Sequence, residues 1–140
     1  MSTLNQIPIR VEQMPTPEDV AIAKSILFEI HAHLQNLLTD GDGGIIDLRS
    51  LPALNQASLG MLEKWLSVGE VSAVVSGVGK TEVRETTYAG VWWLVYRSQK
   101  GDIVTESIQI AEIPDVLKSQ REDVELGIKR LTSVLSAFNK

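Results

Sequence analysis

The chain of 140 residues is 44% hydrophobic and 22% charged, which fits one globular domain large enough to bury a core. Its 18 acidic and 13 basic side chains leave a net charge of −5. We therefore expect no nucleic-acid partner, because phosphate recognition needs a basic patch. Cysteine is absent, which excludes disulfides, a thiol nucleophile and thiolate ligation of zinc or an iron–sulfur cluster by this chain alone.

The N-terminal residues carry no apolar run of signal-peptide length, and no part of the chain has about 20 consecutive apolar residues. These two observations predict a cytoplasmic protein with no membrane partner. Residues 1–15 contain Pro8 and Pro15 and are expected to form an irregular arm. The remaining residues, 16–140, are expected to form a single domain.

A first helix is predicted from about residue 17 to residue 38. Thr16 is suited to the N-cap, Pro17 to the first helical position and Asp19 to the first turn. Apolar residues then recur at steps of three and four, at Val20, Ala23, Leu27, Ile30, Leu34 and Leu37. The glycine-rich segment 40–44 should end the helix. It resembles the start of a calcium loop, but Leu51 stands where the bidentate Glu is needed.

After a short strand candidate at residues 45–48, Asn55 is suited to cap a second helix that ends near Gly69. From Gly69 to Pro114 the apolar period changes to two, with turns at residues 77–79 and 98–102. Leaving the short candidate aside, this pattern predicts four strands in an antiparallel meander.

Ser119 and Glu122 form the pattern of a capping box for a final helix. The expected fold is therefore α+β: an antiparallel four-stranded sheet with the N-terminal, middle and C-terminal helices packed mainly on one face.

No set of residues predicts catalysis or metal binding. Residues 76–81 resemble the end of a phosphate-binding loop, but Val74 replaces the required glycine and a strand follows instead of a helix. His31 and His33 are two positions apart on a helix, roughly 200° around its axis, and cannot grip one metal ion. The acidic residues on or beside the strands, Glu70, Glu82, Glu85, Glu106 and Glu112, are best explained as solvated or cross-strand paired. We expect no cofactor.

The segment Gly90–Tyr96 is apolar on both sides of a strand, with Trp92 and Trp93 pointing to opposite faces. Large aromatic side chains dominate the energy of protein-binding surfaces. If the helices fill one face, the other aromatic set is either exposed to a partner or covered by the arm or a second copy of the chain. Both alternatives are open at this point.

Several segments together resemble the C-terminal conserved region of the HupH/HyaF hydrogenase expression proteins. They are Gly69-Glu-Val-Ser72, Glu85-Thr86, Gly90-Val-Trp92 and Ile113-Pro114 with Gln120 and Asp123 beyond, preceded by Ile46-Asp-Leu-Arg-Ser-Leu-Pro52. The resemblance covers about residues 45–130. Typical family members are longer, and Trp93 stands where a basic or polar residue is expected.

The resemblance implies a chaperone-like accessory protein of nickel–iron hydrogenase maturation, without enzymatic activity. It would bind an immature hydrogenase subunit, in particular the iron–sulfur small subunit, and other maturation proteins as further partners. The expected contact residues are Glu70, Ser72, Glu85, Thr86, Gly90, Val91, Trp92 and Trp93, with Trp92 preferred over Trp93. The alternatives are a homo-oligomeric module, for example a homodimer, or a generic protein-binding module and, less favoured, a small enzyme that uses strand carboxylates.

Overall fold

The computed structural model describes residues 14–139, so most of the predicted arm lies outside the described residues and the boundary at residue 16 stays a prediction. The described chain contains three α-helices, five strands and two short 3₁₀ segments at Leu48–Ser50 and Asp115–Leu117. In chain order the main elements are α1 (Pro17–Asp40), β1 (Gly44–Asp47), α2 (Gln56–Leu66), β2 (Ser72–Ser76), β3 (Lys80–Glu85), β4 (Val91–Arg97), β5 (Ile103–Ile110) and α3 (Arg121–Ala137).

The first two helices begin at the capping residues that the sequence predicts. Thr16 Oγ1 accepts the Asp19 backbone N–H at 3.2 Å, and the Asp19 carboxylate accepts the Thr16 N–H at 2.9 Å. Asn55 caps α2, and its side-chain amide also donates to Asp19 at 2.7 Å. One carboxylate therefore bonds to the starts of both helices. At the other end of α1, Gly41 adopts a left-handed conformation with φ of 78° and ends the helix.

The sheet is antiparallel and has five strands in the order β1-β5-β4-β3-β2. Strands β2 to β5 follow one another as the predicted meander. The predicted count of four strands is wrong, because Gly44–Asp47 pairs with β5 as an additional edge strand. This pairing buries Ile46 opposite Ile108, both less than 5% exposed. A long-range apolar contact therefore places β1 in the sheet, although β1 is too short to show a clear alternating pattern in the sequence.

Helices α1 and α2 cover one face of the sheet and form the core with it. The buried core residues are Ala23, Ile26 and Ile30 of α1, Leu62 and Leu66 of α2, Val91, Trp93 and Val95 of β4, Ile108 and Ile110 of β5, and Ile46 and Leu48. We call this side of the sheet the helix face. Over residues 14–139, none of the helices has the combined length and hydropathy that a membrane crossing requires.

The prediction that the C-terminal helix packs on the sheet is wrong. No residue of α3 is buried, and its apolar stripe from Val124 to Phe138 is at least 46% exposed at every large hydrophobic position. The predicted capping box is also wrong, because Gln120 is the N-cap and makes no side-chain capping hydrogen bond. Helical spacing establishes that a helix has an apolar stripe, but it does not establish which surface covers that stripe.

Candidate partner-binding surface

The two adjacent tryptophans of β4 are both buried, on opposite faces of the sheet. Trp93 is 1% exposed on the helix face, where its Nε1 donates to Glu106 Oε2 at 2.8 Å. The Arg84 guanidinium lies 5.3 Å from the centroid of the Trp93 ring, a cation–π distance. Trp93 therefore belongs to the core and contributes little accessible surface.

Trp92 is 5% exposed on the opposite face and is held by the chain that follows β5. Its Nε1 donates to the Ala111 carbonyl at 3.0 Å. Gln109, which pairs with Trp92 in the sheet, is 7% exposed and reaches Asp115, and the intervening Pro114 is fully buried. Both tryptophans are therefore buried, and on the Trp92 side the contact comes from Ala111 just after β5, which neither alternative named. Whether residues 1–13 of the predicted arm also lie there is outside the described residues.

Thr86, Gly90 and Val91 shape the turn between β3 and β4. The Thr86 backbone N–H and its Oγ1 both donate to the Val91 carbonyl, at 2.9 and 3.0 Å. Gly90 has a φ of 88°, which favours glycine, and a Cβ there would lie 3.4 Å from Leu34 and Leu37 of α1. Thr86 and Val91 are at most 2% exposed. These three residues therefore position the turn. The side chains of Thr86 and Val91 offer little contact surface, and the half-buried Gly90 has no side chain.

Among the side chains of the expected contact set, those of Glu70, Ser72 and Glu85 retain accessible surface. Glu70 and Ser72 are exposed, and Glu85 is half-buried at the end of β3. The Glu85 N–H donates to the Val71 carbonyl at 2.8 Å, which places all three residues at the junction between α2 and the start of β2. Whether any of the eight expected residues contacts a partner stays a prediction, but these three carry the surface that could do so.

The strand carboxylates do not converge on one site. Glu85 lies opposite Trp92, whereas Glu106 lies opposite Val95 on the helix face. Glu82 shares the helix face with Glu106, but it pairs with Arg97 at 2.6 Å, and Glu106 bonds to Trp93. Within residues 14–139, no three or more His, Cys, Asp or Glu side chains form a group suited to a metal ion.

A surface that the sequence reasoning missed lies beside β2. A groove of about 380 Å³ opens on the helix face, beyond the area that α1 and α2 cover. Its lining includes Ser72, Val74, Glu82, Arg84, Trp93 and Val95. Val74 is 61% exposed although it lies on the helix face. The available sequence signal was the run Ser72–Ser76, which has no charged residue and no proline.

A family model for the HupH hydrogenase expression protein, C-terminal conserved region, matches residues 20–138. The chain belongs to this family. The solved structure of hydrogenase expression protein HupH from Thiobacillus denitrificans ATCC 25259 is similar to it, with a TM-score of 0.78 and 35% identity over 82% of this chain and 95% of that chain. The resemblance inferred from the conserved segments is thus confirmed.

Relatives with curated names agree with the family. Hydrogenase expression/formation protein HupQ of Azotobacter chroococcum mcd 1 is 29% identical over 125 residues, which are 87% of this chain and 43% of that protein. Hydrogenase expression/formation protein HupH of Rhodobacter capsulatus is 27% identical over 98 residues, 70% of this chain and 35% of that protein. The chain therefore spans less than half the length of these two relatives.

Proposed function

We propose that this chain is a chaperone-like accessory protein in nickel–iron hydrogenase maturation, acts in the cytoplasm, and binds the precursor of the iron–sulfur small subunit. The observation that carries the proposal is the family match over residues 20–138, joined to a solved HupH structure with the same fold. The relatives are named for hydrogenase expression and formation. The described carboxylates each have separate surroundings, which favours binding over acid–base catalysis.

The proposed contact region is the junction of α2, β2 and β3. Glu70, Ser72 and Glu85 would contact the precursor directly, because they retain exposed surface. Thr86, Gly90, Val91, Trp92 and Trp93 would act beneath it by fixing the turn and the strand that support this junction. Other maturation proteins could meet the same surface when the precursor is passed on.

The test is binding of purified small-subunit precursor, with large-subunit precursor as the specificity control. Glu70→Lys and Glu85→Lys each change the charge of the contact region by two units. Asp102→Lys makes the same change at an exposed acidic residue in the turn between β4 and β5, at the end of β4 opposite the one that pairs with Glu85, and serves as the matched control. We expect the first two variants to weaken binding and the control to leave it unchanged. Equal binding by all three would remove the contact region, and absence of binding by the wild type would remove the function.

A homodimeric module is the second candidate, favoured by the exposed stripe of α3. Val124, Ile128, Leu131, Leu135 and Phe138 recur at alternating steps of four and three, as in a coiled-coil seam. The helix carries Arg121, Lys129 and Arg130 against three acidic residues, so two copies would not repel each other. Light scattering across a range of concentrations tests this candidate. A constant monomer mass would exclude it, and a dimer that Leu131→Glu dissociates would support it.

A further inference from the structure

We propose that the outer edge of β2 binds an extended, uncharged segment of the hydrogenase subunit precursor as a sixth strand beside the five described strands. This inference rests on the proposed function and adds the mode of recognition to it. In such β-augmentation, backbone hydrogen bonds supply affinity, and alternate side chains of the added strand supply specificity.

The direction of the β2 backbone groups follows from its pairing with β3. Every residue of β2 lies opposite one of β3, for example Ala73 opposite Val83 and Val74 opposite Glu82. Beyond the two ends of this register, the Glu85 N–H donates to the Val71 carbonyl and the Gly77 N–H donates to the Gly79 carbonyl, so the bonded positions of β2 and its extensions are odd-numbered. In an antiparallel ladder, hydrogen-bonded pairs alternate with non-bonded pairs. The odd-numbered residues of β2 therefore bond to β3.

The even-numbered residues of β2, Ser72, Val74 and Ser76, consequently direct their N–H and C=O groups away from the sheet. All three are exposed, whereas the intervening Ala73 and Val75 are half-buried. Among residues 14–139, no strand pairs with this side of β2, which is the outer position of the sheet. The edge thus offers three donors and three acceptors in the spacing that an extended peptide matches.

The edge also lacks the features that protect sheet edges from pairing. Proteins usually protect an edge with a charged side chain, a proline, a bulge or a very short strand. β2 contains no charged residue and no proline, and its continuous register with β3 shows no bulge. The opposite edge, β1, has only four residues and carries the exposed Asp47. The two edges are therefore unequal, and β2 is the one suited to accept a strand.

The groove beside the edge indicates which side chain the segment brings. Val74 and Val95 supply apolar walls, and the side chain opposite Val74 in an added strand would lie on the same helix face. The charged groups at the groove are already paired, Arg84 with Glu63 at 3.8 Å and Glu82 with Arg97 at 2.6 Å. An uncharged, apolar side chain fits such surroundings, because a further charge would find its potential partners engaged.

The size of the edge favours a peptide segment over a second copy of the chain. Five residues of strand extend for about 17 Å, so pairing of two β2 edges buries far less than the roughly 800 Å² per partner of a stable protein interface. An extended peptide segment does not need a second complementary globular surface. It can form backbone hydrogen bonds with the edge and also place a side chain in the groove. We therefore assign the edge to the precursor.

Val74 offers a substitution that affects the edge without affecting the ladder. Its N–H points outward, so Val74→Pro removes an edge donor and leaves the bonds between β2 and β3 in place. Val74→Lys introduces a charge of the kind that protects natural edges. Val78→Lys is the matched control, since Val78 is 78% exposed at the turn that follows β2. Circular dichroism first establishes that all variants are folded.

The measurement is the affinity of the purified small-subunit precursor, and of overlapping peptides that cover its sequence, for each variant. We expect both Val74 variants to weaken binding about tenfold or more, the effect of losing backbone bonds and groove contact, while Val78→Lys stays within about twofold. Precursor binding that is unchanged by both Val74 variants would overturn the edge proposal and leave the proposed function intact. No binding by the wild type would overturn both.

Amide hydrogen exchange supplies a second readout that charge effects at a distance would not produce. In the free protein, Ala73 and Val75 should be protected by β3, whereas Ser72, Val74 and Ser76 should exchange quickly. Bound precursor peptide should slow these three amides. If they are slowed by raising the protein concentration alone, a second copy occupies the edge and the proposal is wrong.

Discussion

The hydrogen bond between Trp93 and Glu106 joins two buried side chains at the centre of the helix face, and its contribution to stability can be worked out. Hydrogen bonds to charged groups contribute about 1.5–3 kcal/mol. Trp93→Phe removes the donor, so the Glu106 carboxylate, which is only 8% exposed, loses this hydrogen bond. The substitution also places a smaller ring beneath Arg84. We expect the free energy of unfolding to fall by about 2–4 kcal/mol.

A double-mutant cycle separates the bond from the change in packing. Glu106→Leu leaves the indole N–H unpaired, whereas the double variant removes both polar partners together. The coupling energy should be about 1.5–3 kcal/mol, measured by urea unfolding followed by far-ultraviolet circular dichroism. Trp65→Phe is the control and should cost less than about 1 kcal/mol, because Trp65 is 36% exposed. A coupling energy below about 0.5 kcal/mol would refute the reasoning.

Three further predictions concern Trp92, Asp19 and α3. Trp92→Ala should lower the free energy of unfolding by about 3–5 kcal/mol in urea titrations, because the side chain is buried. A loss of precursor binding in this variant would therefore not identify Trp92 as a contact. A decrease in the free energy of unfolding below about 1 kcal/mol would contradict the burial. The Thr16 backbone N–H and the Asn55 amide hold the pKa of Asp19 below its ordinary value. The folded pKa is then lower than the unfolded one, so the ionised group stabilises the fold above about pH 4 and this contribution is lost as the pH falls through the folded pKa. Asp19→Asn should therefore lower the melting temperature near neutral pH and flatten its decline in acid, and parallel melting curves for variant and wild type would disprove this. Ending the chain after Lys118 should change the free energy of unfolding by less than about 1 kcal/mol, because no residue of α3 is buried; a larger loss in urea titrations would show that α3 packs on the domain.

Local signals predicted the parts of the fold that depend on neighbouring residues. Thr16 and Asn55 cap their helices because a cap needs only a side-chain oxygen and an N–H three residues later. Gly41 ends α1 for an equally local reason, its left-handed conformation. The hairpin turns at residues 77–79 and 98–102 likewise lie where glycine-bearing segments separate two alternating runs.

Long-range contacts decided the parts that could not be predicted. Local sequence made residues 45–48 a strand candidate, but the place of β1 in the sheet depends on the contact of Ile46 with Ile108 of β5, which local sequence does not contain. The alternation in β4 correctly placed Trp92 and Trp93 on opposite faces, but it could not reveal that the Ala111 carbonyl accepts a hydrogen bond from Trp92 or that Asp115 lies at Gln109. For the same reason the expected contact set contains four side chains that are buried, those of Thr86, Val91, Trp92 and Trp93. The position of β2 at the edge of the sheet also depends on long-range pairing and was not predicted.

The hydrogen bond from Asn55 to Asp19 connects residues that are 36 positions apart in the chain. Asp19 also accepts the Thr16 N–H in the capping box of α1, and Asn55 is the N-cap of α2. A change at either residue therefore removes the hydrogen bond that joins the N-termini of the two helices. Substitution at one position should therefore be tolerated best when the other changes with it. Across related sequences, positions 19 and 55 are therefore expected to vary as a pair.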